Sequence, residues 1–319
     1  MRRIAFITAF PPNKKSAGQN LTLALLKSLS KNFEIDLYVI DHNKDDVGFI
    51  YQNLKLFNFK ISKFERILNT IFLIFLHPLF TNRFNIFKAL KLRKLITLNN
   101  YDAVVFNFSQ IFLYSLFIPS KTKIYIVHDV IYQLFDRKRI PIFKYFISKF
   151  TFFSEKLILS LMKGKIVVLN YKDYELVKNL YGLKSYIGRV LLDDAILSLD
   201  YSNLELENSI SLFASWKRKE NQEMFFYFFE KIYPHLDNSV KVYIIGSGIS
   251  EEMEKYITGK KNVVKIGFVE NPYIYIAKSK IMFAVLFKGA GIKVKVLESL
   301  ACGTYVIGNE VSFEGIDFD

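Results

Sequence analysis

The chain has 319 residues, about half of them hydrophobic, and its 44 Lys and Arg outnumber 30 Asp and Glu to leave a formal charge of +14. This length predicts two domains of roughly 150 residues each, and the apolar content excludes a disordered chain. A single cysteine, Cys302, excludes an intrachain disulfide framework and a thiolate zinc cluster, and His42, His77, His128 and His235 lack metal-ligand spacing.

The charge points to anionic partners: nucleic acid, anionic lipid or phosphorylated small molecules. The basic residues form no compact block and no nucleic-acid-binding motif; they are interleaved with Phe, Leu and Ile, which fits a membrane surface better than a nucleic-acid groove. No signal-peptide pattern follows Arg2-Arg3, and the longest apolar stretch, Ile71 to Phe80, is too short to span a bilayer. The expectation is a cytoplasmic protein.

In chain order, strand Ile4 to Ala9 leads through a loop ending at Gly18 into a helix from about Asn20 to Lys31. Strands follow at Phe33 to Ile40 and Lys55 to Phe59. Residues 64 to 98 read as two helices broken near His77-Pro78 and Thr81-Asn82, the second starting at Phe84. Ala103 to Phe106 and Thr122 to Val127 are buried-type strands, and Pro141 to Met162 is a long helix with a broad apolar surface. Strand Lys165 to Leu169 and helix Lys172 to Tyr181 close a domain spanning residues 1–190.

Residues 191–319 then alternate regularly, with strands at Ile210 to Ala214, Val240 to Ile245, Val263 to Ile266, Ile281 to Leu286 and Tyr305 to Ile307. Helices fall at Asn221 to Tyr233, Ile249 to Ile257, Asn271 to Ala277 and Lys295 to Ala301. Such alternation predicts an α/β fold of two Rossmann-like domains with parallel sheets covered on both faces, the second domain short at its C-terminus.

The sharpest candidate is the glycine loop Gly289-Ala290-Gly291-Ile292-Lys293, which runs from a strand into the helix bearing Glu298. Exposed amides at such a strand's carboxyl end suit a nucleotide-type ligand. Lys293 and Lys295 offer cationic contacts to a diphosphate, since positive charge at a helix start is otherwise slightly unfavourable. Glu298 reads either as an acid stabilised near the helix N-terminus or as an acceptor for a ribose diol. Lys217 and Lys219 reach a phosphate or are simply solvated, and Gly246-Ser247-Gly248 is a ligand loop or a tight turn. His128, at another strand end, either donates to a substrate hydroxyl or phosphate or is structural. Glu155 reads as a solvated or salt-bridged acid.

The segment from Gly289 to Ile307, with Glu314-Gly315-Ile316 after it, resembles the donor site of GT-B-fold retaining glycosyltransferases of the family 4 type. Weaker similarities follow in order along the chain: the Gly18 loop, His128-Asp129, Glu155, Val167 to Tyr171, Gly246-Ser247-Gly248 and Gly267-Phe268-Val269. The resemblance implies two domains facing a central cleft, acceptor side first and donor side second. It implies Glu298 on the donor ribose, Gly18 under the donor phosphates and His128 facing the transferred sugar, with His128 and Lys293 catalytic. Lys217, Lys219, Gly246, Gly289, Gly291, Ile292 and Lys295, read from their loops, complete the expected donor site. Ala290 stands where family members often carry the first of two acids. Neither a cofactor nor a metal is expected.

The expected reaction moves a sugar from a nucleoside-diphosphate sugar to a lipid-linked or saccharide acceptor in cell-surface polysaccharide synthesis, at the anionic inner face of the cell membrane. No nucleic-acid partner is expected; a homodimer or a partner subunit stays open. The alternatives are a non-catalytic or partner-dependent GT-B subunit and a GT-B-type nucleotide-sugar epimerase.

Overall fold

A computed structural model describes residues 2–41, 47, 53–133, 142–200, 202–289 and 291–316, with backbone alone at 142–144. Ala290, and Pro141 at the start of the expected long helix, lie outside the described residues. The chain divides into two compact units, Met1–Leu191 and Leu192–Asp319.

The first unit holds strands β1 (Arg2–Thr8), β2 (Phe33–Asp41), β3 (Leu54–Lys60), β4 (Ala103–Asn107), β5 (Lys123–Val127), β6 (Lys165–Val168) and β7 (Ser185–Ile187). All pair in parallel, in the order β3-β2-β1-β4-β5-β6-β7. The alternation of side chains buries both faces, as a parallel sheet requires. Ile4, Phe6, Ile35 and Leu37 pack on one side with Leu26 of the helix Ala17–Ser30, while Ile7, Tyr38, Phe106 and Tyr125 join the larger core on the other.

The second unit holds β8 (Glu207–Phe213), β9 (Lys241–Ile245), β10 (Val263–Gly267), β11 (Ser279–Ala284) and β12 (Tyr305–Gly308), parallel in the order β10-β9-β8-β11-β12. Its main core joins Leu212, Ile244 and Phe283 to Trp216, Phe225, Phe228 and Phe229. The helix expected from Asn221 to Tyr233 departs from the α pattern. It runs Lys219–Tyr227, widens into a π turn at Phe228–Ile232 and tightens at Tyr233–His235 around Pro234. Within this stretch Phe225, Phe228 and Phe229 all face inward, a set that the wider turn accommodates.

Three short elements carry no sequence period: the 3-10 stretch Ser109–Leu116, β7 and the turn of helix Asp194–Leu197. The region 64–98 forms three helices, Lys63–Phe72, Pro78–Thr81 and Ile86–Asn99. Ser62 and Glu65 close a capping box on the first, and the last ends at Asn100 in the left-handed region (φ 48°). The helix Lys63–Phe72 has no buried residue at all.

Candidate functional site

Ligands of doubly wound sheets gather beyond the carboxyl ends of the strands, where the strand order reverses. In the second unit that reversal lies between β8 and β11, so the loops after β8, β9 and β11 share one edge of the sheet. The first loop exposes Lys217, Arg218 and Lys219, and Lys219 opens the helix Lys219–Tyr227. The second loop folds against the first. A Cβ on Gly246 would stand 1.9 Å from the Ala214 carbonyl oxygen, and one on Gly248 would stand 2.5 Å from Cγ of Lys217. The Trp216 amide closes this seam by donating to the Ser247 carbonyl at 2.8 Å. Gly246 and Gly248 therefore make the close packing of the two loops possible.

In the third loop Gly289 (φ 136°) and Gly291 (φ 66°) adopt conformations that side-chain-bearing residues avoid. Ile292 is partly buried beside them. Lys293 folds back: its Nζ donates to the Gly291 carbonyl at 2.6 Å and lies 3.5 Å from the Glu314 carboxylate. Lys295 turns toward the first loop and donates to Oδ1 of Asn221 at 2.9 Å, while Nδ2 of Asn221 donates to the Ser215 carbonyl at 2.8 Å. Burial pulls the Lys295 amine down to about 7; the nearby Arg218 adds to the fall and Glu220 opposes it. The structure thus brings Lys295 to the β8 loop through Asn221, which sequence reasoning left out, as it did Arg218. No local pattern marks an asparagine in a helix's first turn as a bridge.

Glu298 is the fifth residue of the helix Val294–Ala301, whose first turn carries no acid. The reading of Glu298 as an acid near the helix N-terminus is therefore corrected, because the dipole's effect is confined to that turn. The side chain is 4% exposed, and its Oε1 accepts from the Tyr273 hydroxyl at 2.9 Å. Burial and then the Glu298 charge hold that hydroxyl protonated. Burial, with Glu298 nearby, pushes the Cys302 thiol up to about 12, so this cysteine is unreactive.

In the first unit the order reverses between β1 and β4, whose last residues Thr8 and Asn107 pair across the ladder. Gly18 lies in the first turn of the helix Ala17–Ser30 rather than in the loop before it, and a Cβ there would press on the Phe108 ring at 3.1 Å. That ring stacks on His128, centroid to centroid 3.9 Å at 16°. Phe108 itself has φ 75°, a strained conformation for an aromatic residue, and such strain clusters at functional sites. Nε2 of His128 lies 2.8 Å from Oδ1 of Asn107, and burial pulls the imidazole down to about 3, so the ring is neutral at physiological pH. The structure brings Gly18 and His128 together around Phe108, which no sequence signal marked.

Glu155 is not a solvated or salt-bridged acid. It is 1% exposed and accepts from the amides of Ile131 (2.8 Å) and Tyr132 (2.9 Å) and from the Tyr181 hydroxyl (2.8 Å). Its carboxyl pins the segment just after His128 to the helix Ile142–Leu161. Burial raises its pKa to about 7, against the pull of these three donors.

Two doubly wound parallel sheets, each with its loops gathered at a switch point, make up the GT-B fold, and residues 208–317 match the family model described as "Glycosyl transferases group 1". The chain therefore has the GT-B fold, and its second unit carries the match to that glycosyltransferase family. Solved structures share its architecture at low identity. WaaG, a glycosyltransferase involved in lipopolysaccharide biosynthesis, is 12% identical, with 97% of this chain and 81% of that one covered at a TM-score of 0.65. Alr3699/HepE from Anabaena, solved with UDP and glucose, is 9% identical over 97% and 80% of the two chains at a TM-score of 0.62. TarM from S. aureus, as a point mutant complexed with Fondaparinux, alpha-GlcNAc-glycerol and UDP, is 11% identical over 97% and 86% at 0.65. No curated protein matches the chain in sequence.

Proposed function

We propose that the chain transfers a sugar from a nucleoside-diphosphate sugar to an acceptor hydroxyl with retention of configuration, and that the donor diphosphate rests on the switch-point loops of the second unit. The supporting observation is the glycine-bearing edge that carries Lys217, Gly289, Gly291, Lys293 and Lys295, with Lys295 tied to the first loop through Asn221. In the reaction the acceptor oxygen attacks the anomeric carbon on the face from which the diphosphate departs. The anomeric bond to the phosphate oxygen breaks, and the hydroxyl proton passes to the leaving diphosphate. Catalysis then consists of stabilising the charge that grows on that diphosphate, the task of Lys293, Lys295 and the loop amides. Glu298, held by Tyr273, accepts from the donor ribose, and His128 meets the transferred sugar.

A calorimetric screen of UDP-, GDP-, ADP- and CMP-linked sugars tests the donor assignment. One base class binds, and Glu298→Ala lowers its affinity about tenfold or more, the loss expected for a charged hydrogen bond. Unchanged affinity and rate in that variant would remove Glu298 from the site.

The acceptor we assign is a lipid-linked or oligosaccharide hydroxyl at an anionic membrane face. Phe64, Phe72, Ile74 and Phe87 are each more than two-thirds exposed on the first unit, beside Lys63, Arg66 and Lys88. Phe146 and Phe153 add to this on the helix Ile142–Leu161, with Lys149 and Lys156 nearby in sequence. Exposed aromatics among basic residues suit adsorption to anionic lipid. Among the described residues no helix is long and apolar enough to cross a membrane.

A further inference from the structure

Asn107 is fully buried at the end of β4, and hydrogen bonds engage both ends of its side-chain amide. Its nitrogen donates to Oγ1 of Thr22 at 2.9 Å and to Oγ1 of Thr8 at 3.2 Å. Each hydroxyl in turn donates its own hydrogen to a backbone carbonyl, Thr22 to Gly18 at 2.8 Å and Thr8 to Phe10 at 3.1 Å. With both hydroxyl hydrogens committed, the Asn107 atom facing the threonines must be the NH2 group. The atom facing His128 is then the carbonyl oxygen, an acceptor only. Nε2 of His128, 2.8 Å from that oxygen, carries the ring hydrogen, and Nδ1 keeps a lone pair.

Gly18 leaves that lone pair approachable: a Cβ built there would already lie 3.8 Å from Nδ1. His128 and Asn107 also line one cavity, together with Thr22, Leu169 and Arg189. We propose that Asn107 is a positioning residue that fixes His128 as the neutral, Nε2-protonated tautomer, so that the ring meets its ligand only as a hydrogen-bond acceptor at Nδ1. An acceptor selects a hydroxyl and disfavours the diphosphate of a nucleotide sugar, whose oxygens carry no hydrogen at neutral pH. The inference rests on reading this switch point as a sugar site and deepens it: His128 contacts a sugar hydroxyl rather than the diphosphate.

Nitrogen-15 NMR of the whole chain at pH 7, with long-range correlations within the imidazole rings and His128 assigned by its loss in His128→Gln, reads the tautomer directly. The expected pattern is one lone-pair nitrogen at Nδ1 and one protonated nitrogen at Nε2. The opposite tautomer, or an imidazolium, overturns the proposal. Added inorganic phosphate leaves Nδ1 unprotonated; protonation of Nδ1 by phosphate also overturns it. In Asn107→Asp a carboxylate faces Nε2 and both ring nitrogens become protonated, whereas an unchanged pattern would show that Asn107 does not set the state. Should that variant fail to fold, the wild-type spectrum alone decides. None of these measurements uses a sugar donor, so a failure to transfer sugar would sink the proposed function and leave this readout intact.

Discussion

Lys295 and Asn221 tie the third loop of the second unit to the first, and a lysine held near neutrality there gives binding a pH signature. Its amine sits at about 7, so charge available to a diphosphate is lost as pH rises through that value. Donor affinity therefore falls from pH 6 to pH 8 in the wild type, by about tenfold. In Lys295→Met it is weaker at pH 6 and flat across the range; a variant keeping the wild-type slope would dismiss Lys295 as its source. Glu155 makes a second prediction. Its carboxyl titrates near 7 when folded against an ordinary 4.5, so between these values the folded chain holds a proton that the unfolded chain has released. Stability from this site is present below about pH 4.5 and declines as pH rises through 7, by about 3 kcal/mol. Urea unfolding at pH 5, 6, 7 and 8 checks it through the difference between wild type and Glu155→Gln, which removes the titration. Glu155 was legible as a residue of interest but not as a buried one, because its three donors come from residues 131, 132 and 181. Asn221, Phe108 and Asn107 were hidden for the same reason: each acts through neighbours that only the folded sheet supplies.

At the scale of elements, the helix Lys63–Phe72 departs most from the rule that apolar faces are covered. Its capping box fixes its start, yet Phe64, Ile67, Ile71 and Phe72 are all more than half exposed. If these side chains enter lipid, each contributes about 1.5–3 kcal/mol of burial that water denies it. Phe64→Ser with Ile67→Ser should then cut co-sedimentation with anionic vesicles at low salt at least tenfold, with donor binding by the second unit unchanged. High salt weakens the wild-type interaction without abolishing it, because screening acts on the lysines and not on the apolar face. Equal sedimentation of variant and wild type would remove this helix from the lipid contact. Sequence periodicity placed this helix and most strands, because both are set by local patterning. It missed β7, three residues long, and the π turn at Phe228–Ile232, because too few residues repeat in either to establish a period. It also placed the long helices without showing which of their apolar faces lack a cover.

For the whole molecule, the alternation of strands and helices made two parallel sheets legible, while the strand orders that place the switch points came only with the structure. Each unit has hydrophobic cores of its own, the first holding Phe6 on one face of its sheet and Phe106 and Tyr125 on the other, the second built around Trp216, Phe225 and Phe283. Separate cores predict two calorimetric transitions, since a chain of two such units departs from all-or-none unfolding. A nucleoside diphosphate held by the second unit stabilises the folded form of that unit alone. At a ligand concentration one hundred times Kd the gain is about 2.7 kcal/mol, which for a unit of this size raises its midpoint on the order of 10 °C. One transition should therefore move with the diphosphate while the other stays. In Lys295→Met the moving transition should shift less at the same ligand concentration, because the variant's weaker affinity lowers the ratio of ligand to Kd. A shift confined to the transition of the first unit, identified by its loss of stability in Phe106→Ala, would place the diphosphate on the wrong sheet and overturn the donor assignment.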